Sequence, residues 1–159
     1  MDVAPKTPEP HRRIRPAKPE DYDRIAELWR AAGLRVSAEG RDSAAAFRAQ
    51  LAHFPHMYLV ATMDPANRPA GAIIGVVLGS HDHRKGWINR LAVHPDHRRK
   101  GVAAALVSAC DAAIRAHGIR IVSMLIDVGN PASRALFEKL GYVADVPVHY
   151  LRKRSDPEA

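Results

Sequence analysis

The stretch HPDHRRKGVAAAL, residues 94–106, places basic side chains directly before a glycine and a run of small apolar residues that begins a helix. The basic residues are His97, Arg98, Arg99 and Lys100. Cations are unfavourable at the start of a helix, because the unpaired amides of the first turn already carry partial positive charge. An anion bound among them removes that cost, and Gly101 has no Cβ to keep it from the backbone. The stretch therefore predicts an anion site where the helix begins.

A diphosphate fits this corner better than a single carboxylate does, because its two linked anionic groups match consecutive amides. Two common nucleotide motifs do not fit. A P-loop has Ser or Thr after its glycine and lysine, whereas Val102 follows Gly101 here. The three spaced glycines of a dinucleotide fingerprint are absent. The alternative interpretation, a helix terminus with incidental surface charge, leaves the cost of the cations unexplained.

Outward from residues 94–106, the hydrophobic pattern predicts an α/β domain with a mixed sheet. Short turn-rich segments separate the strands before the helix, which favours antiparallel pairing there. The apolar run at 119–128 does not alternate, as is typical of a strand covered on both faces. The predicted strands are 11–17, 56–63, 72–79, 87–95, 119–128 and 142–154, and the predicted helices are 19–33, 43–53, 101–117 and 130–141.

The composition limits the organisation and the partners of the chain. A length of 159 residues suits one domain, and we expect a flexible leader over 1–11, the domain over 12–154 and a tail over 155–159. The net charge of +7 favours anionic partners such as nucleic acid, acidic lipid or a phosphorylated small molecule. No run of about 18 apolar residues occurs, so we expect no membrane span. The one cysteine, Cys110, excludes an internal disulfide and fits a cytoplasmic protein.

Two segments of the chain resemble the conserved motifs of the GNAT superfamily of acyl-CoA-dependent N-acyltransferases. Residues 98–103, RRKGVA, match the acetyl-CoA signature of Arg or Gln, two residues, Gly, one residue, and Gly or Ala. Residues 130–142, NPASRALFEKLGY, resemble the second conserved segment. The resemblance extends over about 12–154. It implies a GNAT-type mixed, mostly antiparallel central sheet of about six strands flanked by about four helices.

The resemblance also implies the co-substrate, acetyl-CoA, and the residues that bind it. The backbone of Leu91 and Val93 would pair with the pantetheine arm, and an amide at Leu91 or Ala92 would polarise the thioester carbonyl. Asn130 would approach the same arm, although a plain helix cap is an equally open role for it. The expected cofactor-binding residues are Leu91, Ala92, Val93, Arg98, Arg99, Lys100, Gly101, Val102, Ala103 and Asn130.

The catalytic residues cannot be carried over in the same way. Many relatives place a proton-donating tyrosine seven residues after the asparagine, but Phe137 stands there. Three alternatives remain: the thiolate leaves without a protein acid, Tyr142 or Tyr150 replaces the missing tyrosine, or activity is weak or lost. Asn89 either orients a water that removes the proton or simply faces solvent near the start of its strand. A carboxylate, Asp127, either reaches the cleft or caps a turn.

Metal chemistry and cysteine chemistry are not expected. His81, Asp82 and His83 lie in one hairpin turn with no distant fourth ligand, so we interpret them as a solvated turn and expect no metal. Cys110 falls on the apolar face of its helix and is interpreted as core.

The resemblance therefore implies an N-acetyltransferase that moves the acetyl group of acetyl-CoA directly to a primary amine of a small molecule or a peptide. The alternative is a non-enzymatic protein, either a coenzyme A sensor or a basic nucleic-acid-binding module. The arginines at 30, 35 and 41 would suit an acceptor with a carboxylate, but we interpret them as surface charge. No membrane partner is expected, and a homodimer through the last strand rests on the resemblance alone.

Overall fold

Five strands and four helices make up the regular structure of the computed structural model, which describes residues 11–64, 71–144 and 147–156. Short 3-10 turns lie at Pro19–Asp21 and Pro95–His97. In chain order the elements are β1 His11–Pro16, α1 Tyr22–Ala31, α2 Ala44–His53, β2 Tyr58–Asp64, β3 Ala72–His81, β4 Gly86–Val93, α3 Val102–Arg115, β5 Val122–Ser123 and α4 Pro131–Lys139. The predicted order of elements is confirmed from β1 to α4.

The strands form one sheet in the order β1-β2-β3-β4-β5. Neighbours from β1 to β4 are antiparallel, and β4 pairs with β5 in parallel. A parallel pair needs a crossover connection, and α3 supplies it. The predicted mixed, mostly antiparallel sheet is therefore confirmed.

Helices cover both faces of the sheet, and the strands divide their apolar side chains between them. On one face α1 and α2 bury Trp29 and Phe47 over Val60, Val76 and Leu78. On the other face α3 and α4 pack over the alternate strand positions, which include Leu59, Ala61, Val77 and Val93. Cys110 belongs to this second cluster and is fully buried, as the sequence predicted.

Glycines let α3 lie unusually close to the sheet. A Cβ on Gly79 would stand 2.6 Å from Cys110 Sγ, and a Cβ on Gly86 would stand 2.2 Å from Ile114 Cγ2. Both distances are shorter than atoms tolerate, so the strand must present bare backbone to the helix. The second half of α3 is thereby held close to β3 and to the start of β4.

The C-terminal part of the sheet differs from the prediction. The sheet has five strands instead of about six, because residues 142–144 and 147–156 form no strand; residues 145–146 lie outside the described part. Pro147 cannot donate to a ladder, and β5 offers only two paired residues to build on. The expectation that 119–128 is covered on both faces is also wrong, since Ile121 is 53% exposed and Leu125 is 59% exposed.

Residues 1–10 of the predicted leader and 157–159 of the predicted tail lie outside the described residues. In the described part of the chain, no helix has the length and apolar character needed to cross a membrane.

Candidate functional site

The two parallel strands separate after a short paired stretch. β4 and β5 pair at Gly86 with Val122 and at Trp87 with Ser123, and β4 continues to Val93 without a partner on that side. The separation exposes one edge of the second half of β4 to a ligand. The positions expected to bind a pantetheine arm, 91–93, lie on this half of the strand.

A β-bulge in β4 lies where the strands have separated. Asn89 pairs with Leu78 and Ala92 pairs with Val76, so Arg90 and Leu91 both stand opposite Val77. Arg90 has a positive φ of 53°, which non-glycine residues rarely adopt. A bulge interrupts the hydrogen-bond ladder and turns the strand locally. Of the two residues expected to polarise a carbonyl, Leu91 therefore belongs to the bulge and Ala92 follows it directly.

The basic corner presents a row of unpaired backbone amides. Arg99 has a φ of 61° and Gly101 a φ of 75°, and the first helical bond runs from the amide of Ala105 to the carbonyl of Gly101 at 3.1 Å. Within the described chain, the amides of residues 99–103 have no protein acceptor. Successive amides in such alternating backbone form an anion-binding concavity. The geometry can hold a diphosphate.

Two cationic side chains of the corner donate hydrogen bonds to backbone carbonyls at the end of α1, at the end of β4 and in the loop itself. Arg98 donates from Nη2 to the carbonyl of Ala32 (3.1 Å) and from Nε to that of Val93 (3.3 Å). Lys100 Nζ donates to the carbonyl of Asp96 at 2.8 Å. These contacts hold the loop between β4 and α3 in shape and keep its amides clear of protein acceptors.

Arg12 brings another cation to the corner that the sequence did not indicate. Its Nη1 donates to the carbonyl of Lys100 at 2.8 Å, and it lies 3.8 Å from the position that a Cβ on Gly101 would take. No other atom lies within 4 Å of that position, so the backbone there is open to a ligand. No local signal could have found Arg12, because the contact depends on the sheet bringing β1 near α3.

Asn130 caps α4, as one of its two predicted roles required. Its Oδ1 accepts a hydrogen bond from the amide of Ser133 at 3.1 Å, and Pro131 occupies the first helical position. The side-chain amide of Asn130 remains available to a ligand. Asp127 accepts from the amide of Gly129 at 2.8 Å, so it caps its turn.

Phe137 stands at the position of the missing acid, and Tyr142 and Tyr150 are the candidates to replace it. Phe137 is 5% exposed and packs edge-on against Tyr142, with ring centroids 5.2 Å apart. The hydroxyl of Tyr142 donates to Asp111 Oδ1 at 3.0 Å, and burial together with this bond raises the pKa of Tyr142. Tyr150 is 67% exposed in the C-terminal segment. A tyrosine with a raised pKa and a carboxylate acceptor is a poor proton donor.

Two of the cavities lined by described residues lie beside the separated strands. A groove of about 860 Å³ lies between α3, β5 and α4, and includes Asn130 and Phe137 but none of residues 91–103. It borders the exposed β5 region, where the predicted sixth strand is missing. A smaller cavity of about 340 Å³ lies on the α1 and α2 face and includes Asn89 and Arg90. The basic corner is the candidate site because of its unpaired amides, although it lies outside the larger of the two cavities.

In the described ranges, no group of three or more His, Cys, Asp or Glu residues could hold a metal ion. Asp82 accepts from the amides of Arg84 (2.9 Å) and Lys85 (2.7 Å), so its carboxylate orders the hairpin turn.

Comparisons with known proteins agree with this geometry. A family model described as the acetyltransferase (GNAT) family matches residues 22–142. An acetyltransferase from Sodalis glossinidius is 30% identical over 141 residues, which cover 89% of this chain and 94% of that protein. An acetyltransferase from Yersinia enterocolitica is 31% identical over 129 residues, with 81% and 86% covered.

Solved structures share the fold. Ard1 from Thermoplasma volcanium superposes with a TM-score of 0.67 at 24% identity, covering 85% of this chain and 84% of that one. A diaminobutyrate acetyltransferase from Paenibacillus lautus, solved with its substrate L-2,4-diaminobutyric acid and coenzyme A, gives a TM-score of 0.61 at 24% identity, with 82% and 75% covered.

Proposed function

The chain belongs to the acetyltransferase (GNAT) family, and from this premise we propose that it transfers the acetyl group of acetyl-CoA directly to a primary amine, with the diphosphate bound at the start of α3. The single observation that carries the proposal is the row of unpaired amides at 99–103, beside a β4 edge that β5 has left open. Both features are needed, because acetyl-CoA has an anionic end and a long polar arm.

The residues at the start of α3 and along the open edge of β4 fit acetyl-CoA. The amides of 99–103 and the positive end of the α3 dipole would receive the diphosphate, and Gly101 leaves room for its approach. The exposed edge at 91–93 would bind the pantetheine arm through backbone hydrogen bonds, and the side-chain amide of Asn130 would add another. Arg12, Arg99 and Lys100 would add formal positive charge, since only Asp96 opposes them within the loop.

Direct transfer of the acetyl group to an amine requires few side-chain groups. A neutral amine attacks the thioester carbonyl, and the amide of Leu91 or Ala92 would stabilise the oxygen as negative charge develops. Asn89 is exposed and would orient the water that takes the amine proton. Because Phe137 has no proton to give and Tyr142 is bound to Asp111, we propose that the thiolate leaves without a protein acid.

Isothermal titration with acetyl-CoA tests the proposal. The Arg99→Glu variant puts a carboxylate among the amides and should weaken binding by more than about tenfold, or about 1.4 kcal/mol. The matched control is Arg84→Glu, which makes the same change of charge in an exposed hairpin on the far part of the sheet. Undetectable binding by the unaltered protein at low salt, or equal binding by the two variants, contradicts the proposal.

The alternative of a coenzyme A sensor or a nucleic-acid-binding module is not favoured, since the relatives are named acetyltransferases. Retention on heparin that acetyl-CoA does not compete would support nucleic-acid binding. A cytoplasmic location is our proposal too, and the presence of a single cysteine in the sequence supports it. A homodimer stays a prediction for sedimentation to test.

A further inference from the structure

The cavity of about 340 Å³ on the α1 and α2 face borders β4, the strand proposed to bind the pantetheine arm. Asn89 and Arg90, which line it, directly precede Leu91 along β4. A molecule held in the cavity would therefore lie next to the strand positions proposed for the thioester. The side chains of this cavity should then indicate which kind of amine the protein accepts.

Two buried N–H groups on the lining residues, Trp29 Nε1 and Arg90 Nε, have no protein partner. A third, Arg90 Nη2, makes no hydrogen bond and has only an ion pair with Asp42 Oδ2 at 3.5 Å. Trp29 is 1% exposed, so its indole cannot turn to solvent for a partner. Buried polar groups nearly always have a hydrogen-bond partner in native proteins. Two donors without acceptors, and a third that makes only a long ion pair, indicate a ligand that supplies oxygen atoms to this cavity.

The Arg90 guanidinium is fixed in place against Trp29. It lies 4.3 Å from the centre of the indole ring and donates from Nη1 to the carbonyl of Arg35 at 2.9 Å. The positive φ of Arg90 and the bulge direct this side chain to the α1 and α2 face. Burial lowers the pKa of Arg90, so its charge is desolvated and would interact strongly with an anion.

The cavity carries more positive than negative charge. Asp42 is its one carboxylate among the described lining residues, and it faces both Arg90 (3.5 Å) and Arg41 (4.0 Å). Asp42 also accepts from the amide of Ser37 at 3.0 Å, which holds it in the loop between α1 and α2. One buried carboxylate shared by two guanidinium groups leaves room for a second anionic group.

Gln50 adds a neutral donor to the cavity. Its Oε1 accepts a hydrogen bond from the hydroxyl of Tyr58, and burial raises the pKa of Tyr58 to about 12, so this hydroxyl keeps its proton. The carbonyl end of Gln50 is therefore occupied, and the N–H end is left for a ligand. Residues of α1, α2 and β4 therefore supply several hydrogen-bond donors to the lining of the cavity.

We propose that the acyl acceptor is a small amine that carries a carboxylate, of the size of a free amino acid. The carboxylate binds at Arg41, Arg90 and Trp29, and the amine points along β4 toward Leu91. The volume is at the small end of the range for ligand pockets, which favours an amino acid over a folded peptide segment. This inference rests on the proposed function, since it names the acceptor of that reaction.

The test compares each common L-amino acid with the amine that lacks only its carboxylate, for example L-lysine with 1,5-diaminopentane. Release of the coenzyme A thiol is followed at saturating acetyl-CoA, and binding of both members to the protein with coenzyme A is followed by calorimetry. We expect at least one amino acid to exceed its partner more than tenfold in kcat/KM and in affinity. Equal or better use of the decarboxylated amines, activity on peptide amines alone, or no amino acid binding overturns the inference.

Two variants locate the carboxylate. Trp29→Phe keeps an aromatic ring but removes Nε1 together with the rest of the five-membered ring, so thermal unfolding of this variant is measured as well. Arg41→Gln removes a charge from an exposed side chain. Each should raise KM for the preferred amino acid about three- to tenfold with little change in kcat, and should leave KM for the decarboxylated partner unchanged. Arg84→Gln is the matched control. If neither variant changes the preference for the carboxylate, the inference is wrong.

The same samples separate the two proposals. Acetyl-CoA affinity is measured for every variant, and we expect Trp29→Phe and Arg41→Gln to retain it. Normal acetyl-CoA binding without any preference for carboxylates overturns the acceptor assignment and leaves the proposed function standing. Absence of acetyl-CoA binding by the unaltered protein overturns the proposed function itself.

Discussion

Arg12, on the edge strand β1, donates a hydrogen bond to the carbonyl of Lys100 at the start of α3, 88 positions later in the chain. The bond links the outermost strand to the loop whose amides are proposed to bind a diphosphate. It occupies a carbonyl that would otherwise present negative charge at an anion site. The edge strand therefore takes part in the site through one guanidinium.

Replacing Arg12 with methionine should weaken acetyl-CoA binding about two- to tenfold, because one hydrogen bond of about 0.5–1.5 kcal/mol and one formal charge are lost. Arg12→Lys should restore part of the affinity, since the charge returns without the second donor nitrogen. Calorimetry at two salt concentrations measures both variants. An Arg12→Met protein that binds as tightly as the unaltered protein at low salt contradicts this role.

The close approach of α3 to the sheet predicts a conditional effect at Gly79. Gly79→Ala should destabilise the protein by about 1–3 kcal/mol, because the new Cβ would stand 2.6 Å from Cys110 Sγ. The same substitution should cost less in a Cys110→Ala background, where that sulfur is absent. Urea unfolding of the four proteins gives the coupling energy. Equal costs in both backgrounds would show that the strain comes from Met57, whose Cβ and carbonyl lie 3.1 Å away.

The sequence predicted the basic corner because its signals are local. The charges of 97–100, the glycine and the helix period all lie within a few residues of one another, and the unpaired amides follow from helix geometry. The order of strands followed in the same way from alternation and turns. These features depend on residues that are close together in the sequence, and the structure has them at the predicted positions.

The features that the sequence did not indicate depend on the fold. The bulge at Arg90 results from a register shift against β3, and neither strand carries a glycine or proline there to signal it. The contact of Arg12 requires β1 to lie near α3. The sixth strand was predicted from its apolar content, but a strand also needs a partner edge, and β5 offers two residues. Pairing between distant segments decides all three.

Tyr142 should act as a structural residue and not as the acid that Phe137 lacks. Tyr142→Phe removes the bond to Asp111 and should lower stability by about 0.5–2 kcal/mol while kcat stays within about twofold. Thermal unfolding and thiol release measure the two effects on the same sample. Two results together would instead identify Tyr142 as the acid that protonates the leaving thiolate. They are a fall in kcat of more than tenfold in Tyr142→Phe, and a loss of rate in the unaltered protein above the pH at which a tyrosine ionises.

A cluster of three histidines predicts how stability depends on pH. His81 lies between His83, with ring centroids 4.7 Å apart, and His117, at 5.2 Å, and it contacts Phe54 at 5.5 Å. Desolvation first, and then the charges of His83 and His117, lower the pKa of His81, while Asp82 opposes the shift. A folded-state pKa below the ordinary value of about 6.5 means that protonation favours the unfolded chain.

Stability from His81 is therefore fully present above about pH 6.5 and is lost as pH falls through its lowered folded-state pKa. The loss should be small, because His81 and its neighbours are partly exposed and solvent screens their repulsion.

His117→Gln removes one of the repelling charges, so its melting temperature should fall less between pH 7.5 and 5.5 than that of the unaltered protein. His149→Gln, in the exposed C-terminal segment, is the control. Because the repulsion is electrostatic, raising the salt concentration should shrink the difference between His117→Gln and the unaltered protein; a difference that salt leaves unchanged would mean that His117 acts through packing instead.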